Sequence, residues 1–317
     1  MCLEDQPTTE DKTMSYYRIK AYALKACVAV LEWLGRLFVF NLSSPEVGRE
    51  ILDIRYGHIN PRKQSLDVFV PAQSPPYPIL VFIHGSGFHF LDKKSFRRVA
   101  KCFADRGYLV VSINYRLAPA CGFPGQITDV AKAIHWAFDH ASEYGGDNSR
   151  VFLAGDSAGA HYSSLYAAAV HEPGLPGELA IERSIPAACI RGLLLFYGSY
   201  DFETVAETAF PFARLLCRGF LGEDGEEYRR RIEVASPARH VGKGFPPVYI
   251  FTGERDPMHT ESLLFDKVLT RAGIPHKMLS FAREEYRDGQ HGFLSVPFSR
   301  CSRIAMRESM EFLDELN

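Results

Sequence analysis

Two uninterrupted apolar runs of strand length constrain this chain more than any other feature. YPILVFIHG (Tyr77–Gly85) and GYLVVSINY (Gly107–Tyr115) are apolar at consecutive rather than alternate positions. A strand with one face in water alternates, whereas a strand covered on both faces does not, so such runs belong to the middle of a parallel sheet. Val151–Gly155 reads as a third buried strand, and IRGLLLFYG (Ile190–Gly198), PPVYIFTG (Pro246–Gly253) and HKMLSF (His276–Phe281) follow in order. Segments with helical spacing separate them: KKSFRRVAKCFADRG, stopped at Gly107 as a C-cap, TDVAKAIHWAFDHASEYGG (Thr128–Gly146), a helix from Ala158, and stretches at Glu261–Arg271 and Arg300–Leu316. EILDIRYG and SLDVFVP precede them as a strand pair. Alternation at these lengths implies βαβ units and a mainly parallel sheet with helices on both faces. The stretch from Phe202 to Val241, charged in GEDGEEYRRRIE, breaks that rhythm and predicts helices outside the sheet.

The chain has 317 residues, 46% hydrophobic and 23% charged, enough for one large α/β domain or two small ones with a sizeable core. Lys and Arg number 36 against 38 Asp and Glu, so no cationic surplus exists to draw a nucleic acid, and none is expected as a partner. Seven scattered cysteines without a Cys-x-x-Cys pair predict neither a disulfide framework nor a metal site, and fit a reducing, cytoplasmic compartment. Near the N-terminus, AYALKACVAVLEWLGRLFVFNL (Ala21–Leu42) is interrupted by Lys25, Glu32 and Arg36 where a polar helical stripe would lie. A spanning helix needs about 20 predominantly apolar residues. The expectation is therefore an amphipathic helix packed on the protein and no integral membrane segment. Glu4, Asp5, Glu10 and Asp11 do not suit the start of a secretory signal.

In open α/β sheets, reactive groups collect beyond the carboxyl ends of the strands. Here those ends deliver HGSGF (His84–Phe88), Ser157, Asp256 within GERDP, and His291 within GQHGF. These groups need one another. A serine hydroxyl is a weak nucleophile until a base takes its proton, and histidine does so near neutral pH. The imidazole needs a carboxylate to fix its tautomer and stabilise its cation. The oxyanion that forms needs backbone N–H donors, which a glycine-rich loop can bring close. Gly155-Asp156-Ser157-Ala158-Gly159 fits the Gly-x-Ser-x-Gly elbow, a strained strand-to-helix turn that exposes its hydroxyl.

With these motifs the chain resembles the α/β-hydrolases of the hormone-sensitive-lipase-like esterase family. HGSGF, NYRLAP (Asn114–Pro119), GDSAG, ASPARHV (Ala235–Val241), TGERDP (Thr252–Pro257) and QHGF stand in that family's order from about Pro78 onward. SAGAH and HGSGFHFLDKKSF are also similar to the kynurenine formamidase and prenylcysteine methylesterase branches. The resemblance implies a mainly parallel sheet of about eight strands flanked by helices, with a helical cap. It implies an N-terminal cap segment at 1–45 and a hydrolase domain at 46–317, with a cap insertion at 200–241. It further implies Ser157 as nucleophile, His291 as general base then acid, and Asp256 as the orienting carboxylate. The oxyanion donors implied are the N–H groups of Gly85, Ser86, Gly87 and Ala158. Ser86 departs from the family's usual His-Gly-Gly-Gly, and at positive φ a serine is strained where glycine is not.

The expected activity is a cofactor-free serine carboxylesterase acting on short- to medium-chain acyl or aryl esters, as a monomer or homodimer. Two rivals share its residues: an N-formyl amide hydrolase of kynurenine formamidase type, and a ligand receptor on the same fold. The receptors typically lose a triad member, most tellingly the histidine. Competing bases are His161, expected to pack under the elbow, His84, expected to brace the oxyanion loop, and His259, which opens a helix. His135 and His140 read as surface or packing residues. Asp201 and Glu254 are the alternative carboxylates, Asp156 is expected to hold loop N–H groups, and Arg116 with Asp129 to anchor NYRLAP. Phe88, His89, Phe90, Phe210, Phe212 and Leu215 are candidates to line an acyl pocket.

Overall fold

The computed structural model describes residues 9–85, 87–222 and 225–317. Eight strands form one sheet: β1 (Arg49–Arg55), β2 (Ser65–Val70), β3 (Tyr77–Ile83), β4 (Leu109–Ile113), β5 (Gly146–Asp156), β6 (Ile190–Phe196), β7 (Val248–Gly253) and β8 (His276–Phe281). Their spatial order is β1-β2-β4-β3-β5-β6-β7-β8. β1 and β2, and β2 and β4, pair antiparallel, while every later pairing is parallel. Ten helices accompany them among the described residues: α1 (Thr9–Gly35), α2 (Arg97–Asp105), α3 (Gly125–His140), α4 (Ala158–His171), α5 (Leu175–Glu178), α6 (Phe202–Val205), α7 (Ala213–Leu221), α8 (Glu226–Ala235), α9 (His259–Ala272) and α10 (Arg300–Glu315).

The consecutive apolar positions of the central strands feed two cores. Ile79, Val81 and Ile83 of β3 point with Leu109, Val111 and Ile113 of β4 into the layer of α3, α4 and α9. Leu80, Phe82 and Val110 point the other way, against Phe103 and Ala104 of α2 and Ala305 and Phe312 of α10. Each such side chain contributes roughly 1.5–3 kcal/mol when fully buried, which is why these strands carry no polar alternation. Chain order also matters. From β3 the chain moves to β4 on one side and then to β5 on the other, so the loops leaving β3 and β5 diverge from neighbouring strand ends. Ile83 pairs with Gly155 at that switch point, where open α/β sheets place their ligands.

Two expectations shift. The helix read at Thr128–Gly146 begins at Gly125 and stops at His140, then tightens into a 3₁₀ turn at Ala141–Tyr144. Gly145 takes φ +81° and Gly146 already belongs to β5, because Tyr77 of β3 recruits it into the sheet. Helices α6–α8 lie outside the sheet, where the charged stretch predicted them.

The N-terminal helix is amphipathic and packed on the body, but with the reverse polarity from the usual one. Its polar stripe faces inward. Lys25 Nζ donates to Ala118 O at 3.3 Å, Ser95 Oγ donates to Glu32 at 2.8 Å, and Arg36 meets Ser95 Oγ and Asp92, each at 2.9 Å. Burial and the nearby Lys63 push the Lys25 amine below its ordinary pKa. The bulky apolar side chains of the same helix face outward. No helix among the described residues is long and apolar enough to cross a membrane.

Candidate active site

The elbow forms because nothing larger than glycine fits on either side of Ser157. A Cβ on Gly155 would stand 2.3 Å from the Gly159 carbonyl carbon, and one on Gly159 would stand 1.8 Å from Ile83 O. β5 and α4 thereby approach to backbone contact, and Ser157 takes φ +51°, ψ −117°, a costly conformation for a residue with a Cβ. Its N–H donates to Phe196 O at 2.8 Å, tying the turn down onto β6. Gly159→Ala should therefore abolish soluble folding or lower the melting temperature by more than 10 °C, readable by thermal denaturation.

The structure brings together the three side chains singled out in the sequence. Ser157 Oγ lies 2.9 Å from His291 Nε2. On the other side of the ring, Nδ1 lies 2.9 Å from Asp256 Oδ2 and 3.0 Å from Oδ1, so it carries the proton. Asp256 is 4% exposed, and its Oδ1 also accepts the Met258 N–H at 2.7 Å, which fixes the carboxylate. The His291 ring is held between two others, Tyr197 at 4.9 Å and Phe210 at 4.8 Å between centroids. Tyr197 escaped the sequence reading. It follows β6 directly, at φ +40°, and its place past a central strand's carboxyl end is the signal that could have found it.

One expected oxyanion donor is corrected. The Gly85 N–H donates to Asp156 Oδ1 at 2.6 Å and is not available to a substrate oxygen. A Cβ on Gly85 would stand 2.3 Å from the other Asp156 oxygen, so this contact also sets the identity of that glycine. Asp156 thus does hold a loop N–H, and burial raises its pKa to about 7. Gly87 takes φ +52°, and Ala158 occupies the first turn of α4, where a helix leaves its N–H groups without intrahelical acceptors. Ser86, the remaining expected donor, lies outside the described residues.

The loop is braced from below. His84 Nδ1 donates to Gly85 O at 3.1 Å, His89 Nδ1 donates to Gly87 O at 2.9 Å, and Tyr115 donates to His84 O at 2.8 Å. Arg116 makes a two-pronged contact with Asp129, at 2.7 and 2.8 Å, which anchors NYRLAP. The rival bases and carboxylates are engaged elsewhere. His161 donates to Ser199 O beneath the elbow, His259 meets Thr252 Oγ1, Asp201 pairs with Arg239, and Glu254 accepts the Arg283 N–H. His135 is buried against the Tyr166 hydroxyl and His140 pairs with Glu143 at the surface.

Two regions flank Ser157. Behind the loop, Phe88 stacks on Phe220 of α7 at 4.3 Å and meets Phe202, His161 and Tyr162 within 5.8 Å, filling that side. Of the other residues expected near an acyl chain, His89 is buried while Phe212 is 61% exposed. Beside His291 opens a cleft of about 500 Å³, lined by Phe293, Val296 and Phe298 with Arg287 and Gln290. Among the described residues, no group of three or more His, Cys, Asp or Glu side chains is placed to hold a metal ion.

Comparison with known proteins identifies the family and the fold. The family model described as BD-FAE matches residues 66–268. Esterase LipQ of Mycobacterium tuberculosis is 30% identical over 266 residues, 80% of this chain and 59% of LipQ. Carboxylesterase NlhH of the same organism is 30% identical over 229 residues, 66% of this chain and 67% of NlhH. The chain spans only about half the length of some curated relatives, 47% for LipM and 48% for LipC. In three dimensions it resembles esterase B of Lactobacillus rhamnosis, with a TM-score of 0.85, 22% identity and 96% of each chain covered. The β3 and β5 loops that meet at the switch point lie within the matched residues, and the chain belongs to the BD-FAE family, on the α/β-hydrolase fold.

Proposed function

We propose that this chain is a serine carboxylesterase working through an acyl-enzyme intermediate, with Ser157, His291 and Asp256 as its triad. What carries the reading is the His291 ring, whose two nitrogens each stand 2.9 Å from a partner, Ser157 Oγ on one side and Asp256 on the other. Ser157 Oγ attacks the ester carbonyl carbon as His291 Nε2 takes its proton. Asp256 stabilises the imidazolium, and the oxyanion accepts from the N–H groups of Ala158 and Gly87, with Ser86 as the third donor. Collapse breaks the bond to the alkoxy oxygen, which leaves as an alcohol carrying the proton from His291. A water then attacks the acyl group with His291 as base, releasing the acid and restoring Ser157. The positive end of α4 favours the developing negative charge.

The substrates inferred are short- to medium-chain acyl or aryl esters. The ring cluster around Phe88 supports the size limit by filling the space behind the oxyanion loop, and the apolar cleft beside His291 supports an aryl or alkyl leaving group. We assign α1 and α6–α8 as the cap: Phe210, between α6 and α7, packs on His291, and α7 reaches both Phe88 and Gly87. The names of the relatives favour an ester over an amide. A p-nitrophenyl ester series should show kcat/KM highest between acetate and hexanoate and at least tenfold lower at palmitate. A maximum at the longest chain would overturn the size limit.

A further inference from the structure

We propose that the outward face of α1 docks on an anionic lipid surface. Five large apolar side chains, Ile19, Tyr22, Val30, Leu31 and Trp33, are exposed along it, and Phe38 in the π-helical turn that follows at Arg36–Phe40, from 49% at Tyr22 to 67% at Leu31. At about 3.6 residues per turn, Ile19 and Val30 lie opposite Ala21, Lys25 and Glu32, the stripe that faces the body, with Leu31 on one flank and Tyr22 and Trp33 on the other. The body already satisfies the charged stripe through Ala118 O, Ser95 and Asp92. The helix is therefore held in the orientation that exposes its apolar residues. An apolar strip of this kind on a soluble fold marks an interaction surface, and Trp and Tyr beside aliphatic residues suit the boundary between headgroups and acyl chains.

Charge selects the occupant. Lys94 is exposed where Asn41, just past the helix, donates to Lys94 O. Beyond Leu42 the strip leads to Ser43 and Pro45, which line a groove of about 310 Å³ between α2 and α10. Arg98, Arg106, Arg303 and Arg307 border that groove, with Asp105 as a carboxylate among them. Arg307 is paired with Glu308 and Glu311 and Arg98 is turned inward, while Arg106 and Arg303 are exposed at the rim, Arg303 donating to Phe298 O. Exposed guanidinium groups on the rim of a basic groove that follows an apolar strip match phosphate headgroups beside acyl chains. A second copy of the chain fits less well, because a symmetric contact sets the same surface on both partners and brings like-charged rims together.

The test uses the full chain with phosphatidylcholine vesicles, with and without one third phosphatidylglycerol, in sedimentation and fluorescence. Trp33 and Trp136 are the only tryptophans, so Trp136→Phe leaves Trp33 as the reporter. Binding to the anionic vesicles should exceed that to neutral ones at least tenfold and weaken with salt, since each basic side chain near such a surface is worth about fivefold in partition. Trp33 emission should shift to the blue on binding. Val30→Glu with Phe38→Glu should lose at least tenfold with an unchanged melting curve, and Arg106→Gln with Arg303→Gln should lose the anionic preference. If the glutamate variant proves unstable, the Trp33 shift in otherwise unaltered protein decides alone. No binding to either vesicle, equal binding to both, or a dimer that dissociates in the glutamate variant would overturn the proposal.

Discussion

Ser157→Ala is expected to reduce ester hydrolysis by about 10⁴–10⁶-fold, the range seen when a triad nucleophile is removed. The melting temperature should stay within a few degrees, since the hydroxyl's hydrogen bond is to His291 at the site mouth. Asp256→Asn should cost about 10⁴-fold by favouring the wrong imidazole tautomer. The Asn amide would face Nδ1 as a donor while its carbonyl still accepted the Met258 N–H. Because the three groups act as one unit, Ser157→Ala combined with His291→Ala should be no slower than either alone. Additive losses in the double variant would mean that His291 serves some step without Ser157.

The second large effect is on stability in mild acid. Four buried histidines have pKa values pushed down mainly by burial: His84, His89 and His135 to about 4, and His161 to about 3. The Nε2 atoms of His84, His89 and His161 are buried without an acceptor, so none of these rings has a place for a second proton. A histidine whose folded pKa lies below its unfolded value near 6.5 supports the fold above pH 6.5, and that support is lost as pH falls. Each group changes stability by about 1.4 kcal/mol per pH unit in that window. Asp156, raised to about 7, and Glu261, raised mainly by burial, act with the opposite sign and offset part of the loss. Even if both carboxyl groups offset one histidine each in full, the net loss is roughly 3 kcal/mol per pH unit, large against a total stability of about 5–15 kcal/mol. At about 2.1 cal/mol/K of unfolding entropy per residue, the melting temperature should fall by roughly 4–5 °C between pH 6 and pH 5. His161→Phe, which keeps a ring among Phe88, Tyr162 and Phe202, should flatten the slope. A melting temperature constant from pH 7 to pH 5 would contradict this reading.

Several parts of the molecule were legible in the sequence for physical reasons. The central strands β3–β7 were visible because strands buried on both faces leave no polar alternation, and the elbow because Gly155 and Gly159 admit no side chain. The pairing of His291 with Asp256 was legible through the family resemblance, with Asp201 and Glu254 as alternatives that the fold engages elsewhere. What stayed hidden depends on long-range partners. The Gly85 N–H belongs to Asp156, 71 residues away, and only the adjacency of β3 and β5 makes that contact possible. The apolar and polar faces of α1 could be read, but their direction could not. Ser95, Asp92 and Ala118 determine it, and none lies within the helix. The boundary at Gly146 was misread because an amphipathic pattern runs past the point where Tyr77 claims the chain for the sheet.

Covalent trapping tests the central claim most directly. The protein would be treated with a fluorophosphonate at neutral pH, and the adduct mapped by intact-mass and peptide mass spectrometry. The predicted result is one adduct per chain, on Ser157, with labelling slowed at least a thousandfold by His291→Ala. Folded protein that takes no label, or takes it on another residue, would contradict the assignment of Ser157 as the nucleophile.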